Sequence, residues 1–196
     1  MINKKYKNYP ELSSEITLAQ NKYNEEINQK KEIVNSINSS ISKLEKNLSQ
    51  NNYDKIKKQI DELDDNFYDE YKTKWDKKLS SIEEKLFKNS CKSLNYKNVL
   101  RYPNDYKESK AYWFGVILQR INSFQYRVGV DCTKYNYIDG YHCDNTIYMY
   151  YLGDKVLLED DVVKLWGTMK GTITYETIMG NSLTIPSFHA NYVSIQ

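Results

Sequence analysis

The residues best able to ligate a metal or attack a substrate are His142, His189, Cys91, Cys132 and Cys143. His142 lies beside Cys143, with Cys132 upstream, but no Cys-x-x-Cys pair supplies the ligand spacing of a zinc site, and no metal is expected. A cysteine nucleophile using His189 as base would need an orienting group and an oxyanion site, and the neighbouring residues suggest neither. The carboxylate pairs Asp64-Asp65 and Asp160-Asp161 are sequence neighbours, so they point to different faces of a helix or strand. Glu176, between Tyr175 and Thr177, is the one carboxylate that stands apart. No glycine-rich phosphate loop is present. The residues therefore predict neither catalytic machinery nor a cofactor, and the chain reads as a non-enzyme.

An odd number of cysteines closes no complete disulfide framework. Cys132 with Cys143 would staple a tyrosine-rich loop, Cys91 with either would tie two regions together, and a free buried thiol is a further alternative. The stronger chemical signal is aromatic. Nineteen tyrosines and three tryptophans exceed what a small core needs. Tyr112, Trp113, Tyr135, Tyr137, Tyr141, Tyr148, Tyr150, Trp166 and Tyr175, with Glu176, form the candidate binding set. Such rings stack on bases or sugars, and they also enrich protein interfaces.

Charge narrows the choice. Residues 1–90 hold 17 Lys+Arg against 16 Asp+Glu, and 91–196 hold 11 against 10, for a net charge of +2. Neither part is a strongly basic nucleic-acid module. No apolar run is long enough to span a bilayer, and the first residues lack the apolar stretch of a secretory signal.

Two kinds of element must position the rings. From about Glu11 to Gln50, Ile27, Val34, Ile41 and Leu48 repeat every seven residues, and Ile16, Tyr23, Ile37 and Leu44 fill a second seam. Asn51-Asn52 reads as a turn. A second stripe of Tyr53, Ile56, Ile60, Leu63 and Phe67 resumes, after a change of phase, as Tyr71, Trp75, Leu79, Ile82 and Leu86. Residues 1–90 are thus expected to form an antiparallel, coiled-coil-like helical hairpin. Its narrow apolar seams predict a homo-oligomer through residues 11–90 or packing against the second half.

Residues 91–196 change to strand patterns: 111–121, 124–130, 146–152, 162–169, and 183–185 continuing past Pro186 to Val193. A helical turn is expected at 156–159. Gly115 and Gly167, inside strands, with Gly171 after them, predict bends where a small barrel curls. Five strands in this arrangement predict an oligonucleotide/oligosaccharide-binding (OB) barrel, and the chain as a whole an α+β fold.

Asn98 to Lys107, Phe114-Gly115-Val116-Ile117, Leu158 to Val163 leading to Trp166-Gly167, Tyr175-Glu176-Thr177, Gly180 and Thr184-Ile185-Pro186 carry a family likeness. Over about residues 91–195 the chain resembles the tRNA-anti-like OB domains, which end many secreted or membrane-anchored proteins of low-GC Gram-positive bacteria. That resemblance implies an OB fold without established enzymatic activity, and a place outside the cytoplasm or at the cell surface. A cytoplasmic location is the alternative. In its first strand the chain departs from the family, with Tyr112 and Trp113 after Glu108-Ser109-Lys110 where a Gly-Lys turn is usual. The expected role is non-catalytic binding of a protein or surface polymer through the tyrosine-rich loops. Single-stranded nucleic acid on the barrel face is the alternative.

Overall fold

The structure, a computed structural model, describes residues 10–137, 139–176 and 180–196. By its internal contacts the chain divides into Met1–Glu83 and Glu84–Gln196, a boundary within a helix rather than at residue 90.

The first unit is helical: α1 (Pro10–Lys46), α2 (Gln50–Asp61) and α3 (Asp65–Ser90), which continues into the second unit. Where one second arm was expected there are two helices, α2 and α3, joined by a reversal, so the helical part has three helices rather than the two arms of a simple hairpin. The phase slip near Leu63 is a chain reversal: α2 stops at Asp61, and the Lys72 ammonium donates to the Leu63 carbonyl at 2.6 Å. Asn51-Asn52 lies inside the first turn of α2 rather than forming the turn, which falls at 47–49, where Ser49 is extended. The two heptad seams meet in burial at Val34, Ile37, Ile41 and Leu44, facing Tyr53, Ile56 and Ile60 of α2 and Tyr68, Trp75, Leu79 and Ile82 of α3. The side chain of Phe67 lies outside the described residues.

Polar contacts fix the direction of these helices. Lys30 lies over the rings of Tyr68 and Tyr71, and the Trp75 indole N–H donates to the Asn38 side chain at 2.9 Å, so α1 and α3 run the same way. At 1.5 Å per residue α1 is about 55 Å long and α2 about 18 Å. The shorter partners leave the start of α1 uncovered. Ile16 is half-buried, and Tyr23 is 62% exposed.

The second unit is a closed five-stranded barrel of β2 (Lys110–Arg120), β3 (Gln125–Lys134), β4 (Tyr141–Tyr151), β5 (Val162–Glu176) and β6 (Ser182–Ile195). Before it come a short strand, β1 (Lys92–Ser93), parallel to β2, and two short helices, α4 (Tyr96–Arg101) and α5 (Pro103–Tyr106). Around the barrel the order is β2-β3-β4-β6-β5, closed by β5 pairing with β2. All pairs are antiparallel except β4 with β6. Strand five inserted between strands three and four, parallel to the third, is the OB-type arrangement. The β3–β4 arm extends further toward its hairpin tip than the sequence pattern predicts, because Cys132, Thr133 and Lys134 pair with Cys143, His142 and Tyr141 although they are not alternately apolar.

Alternation along the strands fills the barrel. Ala111, Trp113, Ile117, Tyr126, Val128, Val130, Ile147, Met149, Val163, Leu165, Met169, Phe188 and Val193 point inward, and α4 adds Tyr96 and Val99. The expected helical turn at 156–159 does not form. That connection is irregular, with Leu157 fully buried in the core and Asp161 accepting from the Leu158 backbone N–H at 2.8 Å. One buried leucine therefore does the plugging for which a helix was expected.

The glycines bend the barrel in two of the three predicted places. The β5–β6 register shifts between Trp166 and Gly167, and again between Met169 and Thr172 around Gly171, whose φ is +86°. In β2 the shift comes after Gly115, between Ile117 and Gln119. Gly115 is regularly paired. A Cβ there would overlap the Gly129 carbonyl, so it is glycine for space rather than for a bend.

Candidate functional site

Outward-facing residues of β3, β4 and β6 build one aromatic surface. Cross-strand pairing sets Gln125 opposite Tyr150 and Arg127 opposite Tyr148. On the other side of β4, Tyr148 faces Ser187 and Tyr150 faces His189. Because side chains alternate, Tyr148 and Tyr150 stand outside while Ile147, Met149 and Tyr151 fill the core. The rings of Phe124, Tyr150 and His189 form a row, with centroids 6.4 Å and then 5.1 Å apart.

Arg127 adds the charge. Its guanidinium lies 4.0 Å from the centre of the Tyr175 ring, which projects from β5. Flattened on an aromatic face, a guanidinium keeps its charge and presents its edge and outer face to a ligand. Its Nε is buried, without a hydrogen-bond partner among the described residues. Burial pushes the Tyr148 phenol up while Arg127 opposes it, so Tyr148 remains a neutral hydroxyl. At the other margin Lys170 binds Glu108 at 2.7 Å and holds that carboxyl below its usual range. Burial pushes the neighbouring His189 imidazole below its ordinary value of 6.5, Lys170 adds to the shift and Glu108 opposes it.

The sequence-predicted residues separate into five places. Tyr148, Tyr150 and Tyr175 belong to this surface. Tyr112 and Trp166 lie elsewhere on the barrel, ring centroids 5.5 Å apart, in a cluster where Lys88 sits 4.2 Å over Trp166 and Phe87 meets Tyr192 edge-on. The end of α3 occupies that face, so its rings are engaged in packing.

Trp113 is a correction. It is 4% exposed and lies inside the barrel, because its position in β2 alternates with the outward Tyr112 and Phe114. Tyr135 and Tyr137 belong to the β3–β4 loop, where Tyr137 is 98% exposed, and Tyr141 opens β4 and packs edge-on against Phe114. Glu176 is exposed at the end of β5. Its neighbour Thr177, part of the family likeness, lies outside the described residues.

Sequence reasoning missed Phe124, Arg127 and His189 as parts of one surface. Arg127 and His189 carry no local motif, and only pairing across three strands brings them together. Strict alternation about the apolar Tyr126 and Val128 was the available signal for Arg127.

Cys132 and Cys143 are disulfide-bonded at the base of the tyrosine loop. Cys91 is the free cysteine; burial pushes its thiol up, keeping it protonated, and it donates to the Phe87 carbonyl at 3.4 Å. The nucleophile considered from sequence therefore has no support at Cys91. Among the described residues no group of three or more His, Cys, Asp or Glu could hold a metal ion, and no helix is long and apolar enough to cross a membrane.

No protein-family model and no curated protein matches the sequence. Solved structures similar to the chain include a small single-stranded DNA-binding protein from Streptomyces coelicolor, at 15% identity and a TM-score of 0.34, covering 45% of this chain and 94% of that one. Another is the mitochondrial single-stranded DNA-binding protein Rim1 from S. cerevisiae, at 10% identity and a TM-score of 0.26, covering 45% and 95%. Scores this low bear neither on the fold, which rests on strand order and closure, nor on the ligand.

Proposed function

We propose that the barrel binds single-stranded nucleic acid on the outer face of β3, β4 and β6, without catalysis. The observation that carries this reading is the row of Phe124, Tyr150 and His189 beside an arginine laid on Tyr175. Stacked rings grip bases irrespective of sequence, at about 1–3 kcal/mol per base, and OB barrels use this side of the sheet for such ligands.

The modest charge sets the character of the complex. Among the described residues Arg127 and Lys170 are cations on or beside this face, and Lys170 already holds Glu108. With about one to two phosphates neutralised, log K falls against log salt with a slope of about −1. Fluorescence anisotropy with single-stranded DNA and RNA at two salt concentrations tests this. The expected result is binding with a shallow salt slope, weakened about 5- to 150-fold by Tyr150→Ala, the equivalent of one lost stack. An absence of binding, or equal affinity in Tyr150→Ala, would overturn it.

A second reading, a protein or surface polymer held by the tyrosine loop, is favoured by Tyr137, which stands 98% exposed on a loop closed by the Cys132–Cys143 disulfide. Disulfides persist in oxidising compartments, which supports the extracytoplasmic location that the tRNA-anti-like resemblance implies. Loss of binding to a surface polymer in Tyr137→Ser, with nucleic-acid binding intact, would select this reading. Self-association through residues 11–90 is proposed with either.

A further inference from the structure

The helical unit leaves the first part of α1 without a helix beside it. α3 runs the same way as α1, with Tyr68 and Tyr71 beside Lys30 and Trp75 beside Asn38. At a common rise per residue its first residue, Asp65, therefore falls alongside roughly residue 27 of α1. α2 turns back from the other end of α1 and is too short to reach this far. The uncovered stretch from Pro10 is roughly seventeen residues, about 25 Å of helix. A helix of that length standing alone in water is marginal, because most helical stability in proteins comes from packing an apolar face.

The uncovered stretch has such a face. Leu12, Ile16, Ala19, Tyr23 and Ile27 follow one another at intervals of three or four residues, which keeps them on one side of α1, in line with the buried Val34, Ile37 and Ile41. Leu12, Ala19 and Tyr23 are exposed, and Ile16 and Ile27 are half-buried.

The stripe is also self-complementary. Leu12 and Ile27, and likewise Ile16 and Tyr23, lie at equal distances on either side of a point between Ala19 and Gln20. Set antiparallel to a second copy about that point, Leu12 meets the partner's Ile27, and Ile16 meets the partner's Tyr23. Identical helices paired this way make an isologous two-fold contact, so each of these meetings occurs twice. Ala19, the smallest of the five, falls at the axis, where a small side chain allows a short interaxial distance. The partner's Leu12 arrives at a cleft of about 310 Å³ lined by Ile27, Lys30, Val34 and Tyr71, at the place where α3 begins.

A parallel pairing does not fit. From about residue 27 onward the same side of α1 carries α3, and a partner helix running in the same direction would have to occupy that place. In the antiparallel pairing the partner's uncovered stretch ends where α3 begins, and the rest of its α1 runs on past Pro10. We infer that two copies of this chain associate antiparallel through the first part of α1, with α3 and the partner's α1 end to end along one seam. The inference rests on the self-association proposed above and gives it a contact and a direction.

The test uses the full chain. Sedimentation velocity at micromolar concentration is expected to give twice the mass of one chain for wild type. Ile16→Glu and Ala19→Asp, each of which sets a carboxylate in the seam, are expected to give the mass of one chain. Ala19 is exposed in the single chain, so Ala19→Asp tests the contact independently of how well Ile16→Glu folds. Direction is read by pulsed electron paramagnetic resonance on Glu11→Cys/Cys91→Ser with a nitroxide on the new thiol. The antiparallel pair separates the two labels by about 25 Å along the helix axis, whereas a parallel pair sets them side by side at about 10 Å. A label separation other than about 25 Å overturns the direction and leaves self-association standing. A dimer that persists in Ala19→Asp places the contact elsewhere and overturns the inference alone. A monomeric wild type removes the self-association as well.

Discussion

Tyr150 and Tyr151 are adjacent in sequence and have opposite fates: one belongs to the aromatic row and the other is core. The period-two geometry of a strand makes that split, and it is also why Trp113 is core while Tyr112 is not. Residue type alone cannot tell a stacking tyrosine from a packing one. Alternation about the buried Ile147 and Met149 is what places Tyr148 and Tyr150 outside. The candidate set failed at Trp113, where a large aromatic in a departure from the family pattern looked like a ligand contact.

His189 carries a prediction at this scale. Its folded pKa is below the ordinary 6.5, so the folded state favours the neutral imidazole. The unfolded chain then binds the proton more readily, and the stability this residue contributes is present above pH 6.5 and is lost as pH falls through that value. The imidazole is exposed enough for solvent to screen the effect, so it is small. Thermal denaturation between pH 7.5 and about pH 5.5 is expected to lower Tm more in wild type than in His189→Gln. Identical pH profiles would show that His189 does not titrate differently on folding.

Among the elements, the two heptad seams and the alternating strands were legible because burial follows periodicity directly. Boundaries set by tertiary contact were not. The phase slip near Leu63 reads in the sequence as a bend or a local unwinding of the helix, not as a reversal. It became a reversal because α2 turns back, putting Tyr53 beside Glu83 with a hydroxyl-to-carboxylate bond of 3.0 Å. The helix expected near 156–159 was inferred from the usual order of the fold, and Leu157 supplied its core contact without one.

The seam of α1 leaves an unfilled demand. Val34 to Leu44 is covered, whereas Tyr23 is exposed and Ile16 only half-buried. The proposed self-association would bury that uncovered stretch. Light scattering on the full chain is expected to give more than the mass of one chain in wild type and the monomer mass in Ile16→Asp/Tyr23→Asp, with the melting of the barrel unchanged. A monomeric wild type at micromolar concentration would remove the proposal.

Across the whole molecule, balanced charge and abundant tyrosine point the same way. A chain of net charge +2 has little long-range attraction for a polyanion, so its proposed ligand must be held by stacking at close range. The barrel and its strand order could be read from the sequence because five patterned strands and two bend-forming glycines agreed. The site could not be read in full, because Phe124, Arg127, Tyr150, Tyr175 and His189 come from separate strands and loops and meet only once the barrel closes. The same closure places Tyr112, Trp166 and Tyr192 in a second aromatic cluster engaged by Phe87 and Lys88. Two aromatic clusters on one barrel allow an internal control.

The most direct measurement is therefore a chemical-shift titration of the isotopically labelled full chain with a single-stranded oligonucleotide. Saturable shifts are predicted at Arg127, Tyr148, Tyr150 and His189, with Tyr112, Trp166 and Tyr192 unmoved. Shifts confined to the Tyr135 to Tyr141 loop or to the Trp166 cluster, or no shifts at all, would contradict the assignment of the β3–β4–β6 face as a nucleic-acid-binding surface.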